Sequence, residues 1–233
     1  MKNISKLLVL FILLFVSCNK SSHNLTVKIN VKGLNKEPIY LKKVDNNKLT
    51  TVDSLILNPT DSGILYSTIK SPEVFYLYLG KGANENRIAF FADAGVTEIN
   101  TSANNFINDA TIKGSEQQKV FEQYKKAHSY YKNKNLELVK TLLEAKTNSN
   151  TEKIKATEKR QNRLLKQKYL YTINFALNNK NSEVAPYLAL SELYNAKLKF
   201  LDTINNALTP KVKTSTYGLK LQEFLNKRSQ KAK

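Results

Sequence analysis

The sequence predicts an α+β protein: an N-terminal antiparallel β-sandwich followed by an all-helical region that contains a long helical hairpin. Three observations carry this. Apolar residues alternate with polar ones between residues 25 and 113, the period of half-buried strands. Clusters of Gly, Pro, Asn, Asp and Ser interrupt that stretch at short intervals. From Glu116 onward the apolar spacing changes to three, four and seven residues, the period of a helix.

The strands follow in order. LTVKINVKG puts Leu25, Val27, Ile29 and Val31 on one face and polar side chains on the other. PIYLKKV, LTTVDSLIL, GILYSTIK, VFYLYLG, RIAFFAD, VTEIN and ATIKG come next, and NKEP, DNNK, NPTDSG, KSPE, GKGANEN and DAG between them are turn compositions. Seven or eight short strands at this spacing form a sandwich. The boundary to the helical region is placed near Lys113, Gly114 and Ser115.

In the helical region Val120, Tyr124, Ala127, Tyr131, Leu138, Leu142 and Ala145 form a stripe ending near Lys146. KTNSNTE breaks it. A second stripe of Ile154, Gln161, Leu165, Tyr169, Ile173 and Ala176 predicts a helix over 151–179, antiparallel to the first. In SEVAPYLALSELYN, Ser182 is a candidate cap and Pro186 is tolerated in a first turn. KLKFLDTINNAL and YGLKLQEFLNKRSQK predict two shorter helices, separated by TPKVKTST.

Charge is divided between the two regions. The chain carries 37 Lys and Arg against 19 Asp and Glu. From Cys18 to Ile112 there are 10 basic and 9 acidic residues; from Lys113 onward there are 25 and 10, so the excess belongs to the helices. Only Arg87, Arg160, Arg163 and Arg228 are arginines. Lysine is a hydrated point charge that fits bidentate recognition of phosphates or bases poorly. With no recognised nucleic-acid-binding signature in the sequence, this excludes nucleic acid as the expected partner. General attraction to an anionic surface or an acidic envelope protein fits better.

The N-terminus sets the compartment. Lys2 and Lys6 precede an uninterrupted apolar run, LLVLFILLFV from Leu7 to Val16, and Ser17 offers a small residue before Cys18. The run is about half of the ~20 residues that a spanning helix needs. Phe15-Val16-Ser17-Cys18 resembles the bacterial lipobox, with Phe15 where Leu is usual. The resemblance implies that residues 1–17 are a lipoprotein signal peptide cut before Cys18, which is the lipid-attachment residue and carries diacylglycerol and a further acyl chain. Residues 18–24 then form a polar tether. More than one acyl chain is needed for stable anchoring. By analogy, Asn19 in place of an aspartate and the lack of an acidic cluster after it imply the periplasmic face of the outer membrane.

A wider resemblance rests on VDSLILNPTDSG, SPEVFYLYLG, FFADAGVTEINTS and ATIKGSEQQKVFEQYKK, and in the helices on NNKNSEVAPYLALSELY and LTPKVKTSTYGLKLQEFL. With these, residues 25–113 (sandwich), 114–229 (helical region) and 230–233 (basic tail) resemble the uncharacterised N-terminal region of Bacteroidota-type lipoproteins that often precedes a thioredoxin-fold domain of the TlpA and ResA kind. In such proteins the YGLKLQEFL-like helix leads into a domain with a C-x-x-C pair. Cys18 is the one cysteine in these 233 residues, so thiol–disulfide chemistry would require a partner, and no redox activity is transferred.

No catalytic set is expected, and no cofactor or metal. The two histidines are His23 in the tether and His128 on a helix, and the latter is read as a surface or interhelical residue. Asp53-Ser54 is read as a hydrogen-bonded strand feature, and GKGAN as a loop. Eight of the twelve tyrosines lie in the helical region, where core packing with surface hydroxyls explains them more simply than ligand stacking. The expected function is therefore a non-catalytic, lipid-anchored envelope module that binds or scaffolds. The alternative is an accessory or truncated member of a TlpA-like oxidoreductase system.

Overall fold

A computed structural model describes residues 23–58, 62–80 and 86–231. The expected signal peptide (residues 1–17), Cys18 and most of the expected tether lie outside these residues. Eight strands come first: β1 (Leu25–Lys32), β2 (Pro38–Asp45), β3 (Lys48–Ile56), β4 (Ser62–Ser67), β5 (Glu73–Leu79), β6 (Arg87–Ala92), β7 (Gly95–Ser102) and β8 (Thr111–Lys113). They form two four-stranded sheets, ordered β4-β1-β7-β8 and β3-β2-β5-β6.

The sheets face each other across one apolar core. Leu25, Val27 and Ile29 of β1, Ile39 and Leu41 of β2, and Phe75, Leu77 and Phe90 of β5 and β6 are at most 1% exposed within it. Alternation along β1 and β4 puts every second side chain there. The β2–β3 hairpin turns on Asn46 and Asn47, both with positive φ (47° and 61°), as the twist-matched two-residue turn requires. One pairing departs from the antiparallel expectation. β1 and β7 run parallel, Leu25 opposite Gly95 and Lys32 opposite Ser102, because the chain visits the other sheet between them. Alternation reports which face a residue takes and is silent on the direction of its neighbour.

The sandwich edges are closed by side chains. Asp53 accepts from the Ser54 N–H at 2.8 Å and from the Tyr66 N–H of β4 at 2.7 Å, linking the edge strands of the two sheets. This is the structural role expected of Asp53. Asn24 pairs with both backbone groups of Ile69, so the last tether residue already belongs to the sandwich.

Six helices follow among the described residues: α1 (Glu116–Thr147), α2 (Thr151–Asn178), α3 (Val184–Ser191), α4 (Leu198–Ala207), α5 (Pro210–Lys213) and α6 (Thr216–Lys231). Ser115 caps α1 by accepting from the Gln118 N–H, and Asn150 caps α2 through the Lys153 N–H. Ser182 stands one residue before the position expected for it: Glu183 is at the cap of α3 with no side-chain bond of its own, and Ser182 accepts from the Val184 N–H. TPKVKTST is not wholly a breaker, since Pro210 opens the single turn of α5. The tail expected from residue 230 begins inside α6.

The helices are fastened to the outer face of the second sheet. Gln118 uses its side-chain carbonyl to accept from the Phe91 N–H of edge strand β6 at 2.8 Å, satisfying a group that would otherwise face a missing strand. Around it Phe91 meets Phe121, Tyr187 and Tyr217 edge-on at centroid distances of 5.4 to 6.0 Å. The Tyr217 hydroxyl accepts from the Val74 N–H, and Ser71 accepts from the Thr216 N–H at the start of α6. VFYLYLG is apolar throughout because β5 is covered on both faces, by the sandwich core and by these helices.

Candidate functional site

The first two helices extend beyond the rest of the molecule. Between residues 132 and 164 only Ala145 and Thr157 are buried, so this part is an arm of two helices touching each other. From Lys132 to the end of α1 it runs for about 24 Å, sixteen residues at ~1.5 Å each. The apolar spacing puts Leu165 in one stripe with Ile173 and Ala176; those two are buried, as are Thr157 and Thr172, whereas Leu165 is 48% exposed. Each of these threonines returns its hydroxyl to the carbonyl four residues earlier, which lets a polar residue occupy the seam.

The arm is cationic. From Lys132 to Lys168 it carries eleven Lys and Arg against four Glu. Among the described residues the ion pair formed within it is Lys134 with Glu137 at 2.9 Å, both exposed. Lys155, Lys159, Arg163 and Lys166 line one shallow depression along α2. Leu136 and Leu143, seven residues apart and so stacked on one side of α1, are 67% and 61% exposed among these cations.

At the base of the arm three helices meet on a carboxylate. Glu192, at the end of α3, lies 2.8 Å from Lys168 Nζ of α2 and 3.4 Å from His128 Nε2 of α1. The hydrogen bond from His128, with that from Lys168, holds the Glu192 carboxyl down at about 2, against the cost of burial. His128 also lies against the Tyr124 ring at 5.7 Å, and Tyr124 closes the layer below with a 2.9 Å bond between its hydroxyl and that of Thr172. Burial pushes the Tyr124 hydroxyl far above its ordinary range. His128 is thus interhelical, as expected. That it shares a carboxylate with Lys168 was not legible, because the three residues are far apart in sequence.

Above this triad α1 and α2 part to leave a cleft of about 270 Å3. α1 supplies His128, Tyr131, Lys132 and Asn135 to its wall. α2 supplies Gln161, Leu164, Leu165 and Lys168.

A second polar group sits where the helices join the sandwich. Burial raises the carboxyls of Asp93 and Glu183; Lys211 opposes the shift at both. Asp93 is held by the Ser115 hydroxyl and the Glu116 N–H, and its Oδ1 is buried without a partner among the described residues. Farther along α1, Lys125 packs 5.2 Å from the Phe121 ring, and burial lowers its ammonium.

His23 stacks on Tyr66 at 5.5 Å, and no group of three or more His, Cys, Asp or Glu able to hold a metal occurs among the described residues. No helix among them is long and apolar enough to cross a membrane. Tyr130 and Tyr194 are exposed, while Tyr124, Tyr187 and Tyr217 pack into the aromatic layer.

Residues 25–121 match the model of a family described as a domain of unknown function, DUF4369. The match covers the sandwich and the first turns of α1, ending at Phe121 just after Gln118 has closed the edge of β6. No curated protein and no solved structure matches the chain.

Proposed function

We propose that the protein is a non-catalytic lipoprotein of the cell envelope, held to its membrane by acylated Cys18, whose helical arm docks on an anionic surface. The observation that carries the reading is the arm itself: eleven cations, few of them paired, around exposed Leu136 and Leu143. Lysines around exposed leucines match a face that rests in a headgroup layer, where each basic residue near an anionic surface contributes about 1 kcal/mol. Cys18 lies only a few residues before the first strand, so an acyl anchor there would keep the whole molecule close to lipid.

The test is flotation of the full chain with phosphatidylethanolamine vesicles, with and without phosphatidylglycerol, over a salt series. A version with Lys155, Lys159 and Lys166 changed to Gln separates the arm from the acyl chains. The expected result is extra binding to the anionic vesicles that fades with salt and with the three substitutions. Equal binding to both vesicles at every salt concentration would overturn the docking role.

A second reading is an accessory member of a TlpA-like thiol–disulfide system, supported by the motifs SPEVFYLYLG and FFADAGVTEINTS. It predicts that cross-linking in the envelope recovers a C-x-x-C protein with this chain.

A further inference from the structure

The cleft at the base of the arm combines features that the surface lysines alone do not. Its cationic side is fixed: Glu192 holds both Lys168 and His128 from below, so neither is free to follow solvent. Glu192 also balances the charge of Lys168. That leaves Lys132 as the cation in the wall without an acid in ion-pair range among the described residues. Next to it Asn135 and Gln161 present amides from the two helices, and neither makes a hydrogen bond to another described residue. Leu164 and Leu165 of α2 add apolar surface to the wall, and Leu165 stays 48% exposed there.

These groups define a ligand. One uncompensated lysine without an arginine fork suits a single negative charge better than a phosphate dianion. Two amides with both donor and acceptor capacity suit a peptide group beside that charge. Exposed leucine suits an apolar side chain, and about 270 Å3 limits the ligand to a small group, near the lower end of known pockets. We infer that the cleft between α1 and α2 binds a carboxylate that carries an adjacent amide and an apolar side chain, as in an N-acylated amino acid or the C-terminal end of a peptide. This rests on the reading of the protein as a binding module and names a ligand class for it.

Calorimetric titration of the full chain in detergent tests this with N-acetyl-L-leucine, the peptide Ala-Ala-Ala-Leu, and the C-terminal amide of each. Both acids should bind more tightly than their amides by roughly tenfold or more, the loss of one charge-assisted contact. Lys132→Gln should weaken the acids about as much and leave the amides unchanged. Leu165→Ala should weaken acids and amides alike. Both positions are exposed, so neither change threatens the fold. Tighter binding of the peptide would identify a chain end as the natural ligand, and tighter binding of the acylated amino acid a free small acid. Absence of binding, amides that bind as well as acids, or an unaffected Lys132→Gln would each overturn the inference. Vesicle flotation of Lys132→Gln keeps the two proposals apart. It retains most arm cations, so its flotation should persist whether or not the cleft binds acids.

Discussion

Gly218 has no room for a methyl group, since a Cβ there would collide with the carbonyl oxygens of Val212 and Lys213 where α5 turns into α6. Gly218→Ala must push the two helices apart and should lower stability by about 1–3 kcal/mol in denaturant unfolding, the usual cost of overpacking. Glu192 gives a prediction with a definite sign. Its carboxyl is held at about 2 in the folded protein against an ordinary value of 4.5, so its contribution to stability is complete above pH 4.5 and is lost as pH falls toward 2. Asp93 and Glu183 act in the opposite direction, because raised carboxyls favour the folded state more as they protonate. The clean readout is therefore the difference between the natural protein and Glu192→Gln. That difference should shrink as pH falls from 4.5 toward about 2. Neither residue announces its role in the sequence: Gly218 looks like any helix-interrupting glycine, and the partners of Glu192 lie on other helices.

At the scale of elements, much could be read directly. Alternation located β1 and its buried face, and the change of period at Glu116 located the long hairpin. Two things escaped for physical reasons. The parallel pairing of β1 with β7 depends on where the chain returns after visiting the other sheet, which no local pattern records. The use of Gln118 as a surrogate strand for β6 was hidden because a polar residue on a helix reads as solvent-facing. Removing it exposes the point. Gln118→Ala leaves the Phe91 N–H buried and unpaired, at a cost of about 1–3 kcal/mol, and should speed hydrogen exchange at that amide. Gln118→Glu keeps an acceptor and should exchange more slowly than the alanine variant. Equal protection of Phe91 in all three proteins would remove Gln118 from this role. The exposure of Leu165 has a similar origin. The seam of the hairpin admits Thr157 and Thr172, whose hydroxyls are satisfied within their own helix, and a leucine is left outside beside the cleft.

At the scale of the whole molecule, the charge and the proposed anchor belong to separate segments. The sandwich is nearly neutral, the arm strongly basic, and Cys18 stands at the far end of the sequence from the arm. The charge division was legible from composition; the concentration of cations on a two-helix arm required the packing that leaves residues 132–164 uncovered. The account stands on the anchor first, because an arm that meets lipid presupposes a protein kept at the membrane. The most direct measurement is the mass of the N-terminal tryptic peptide of the native protein taken from the cell envelope. The account predicts a peptide that begins at Cys18, ends at Lys20 and carries a diacylglycerol and a further acyl chain. An unmodified Cys18, or a mature chain beginning at another residue, would contradict it.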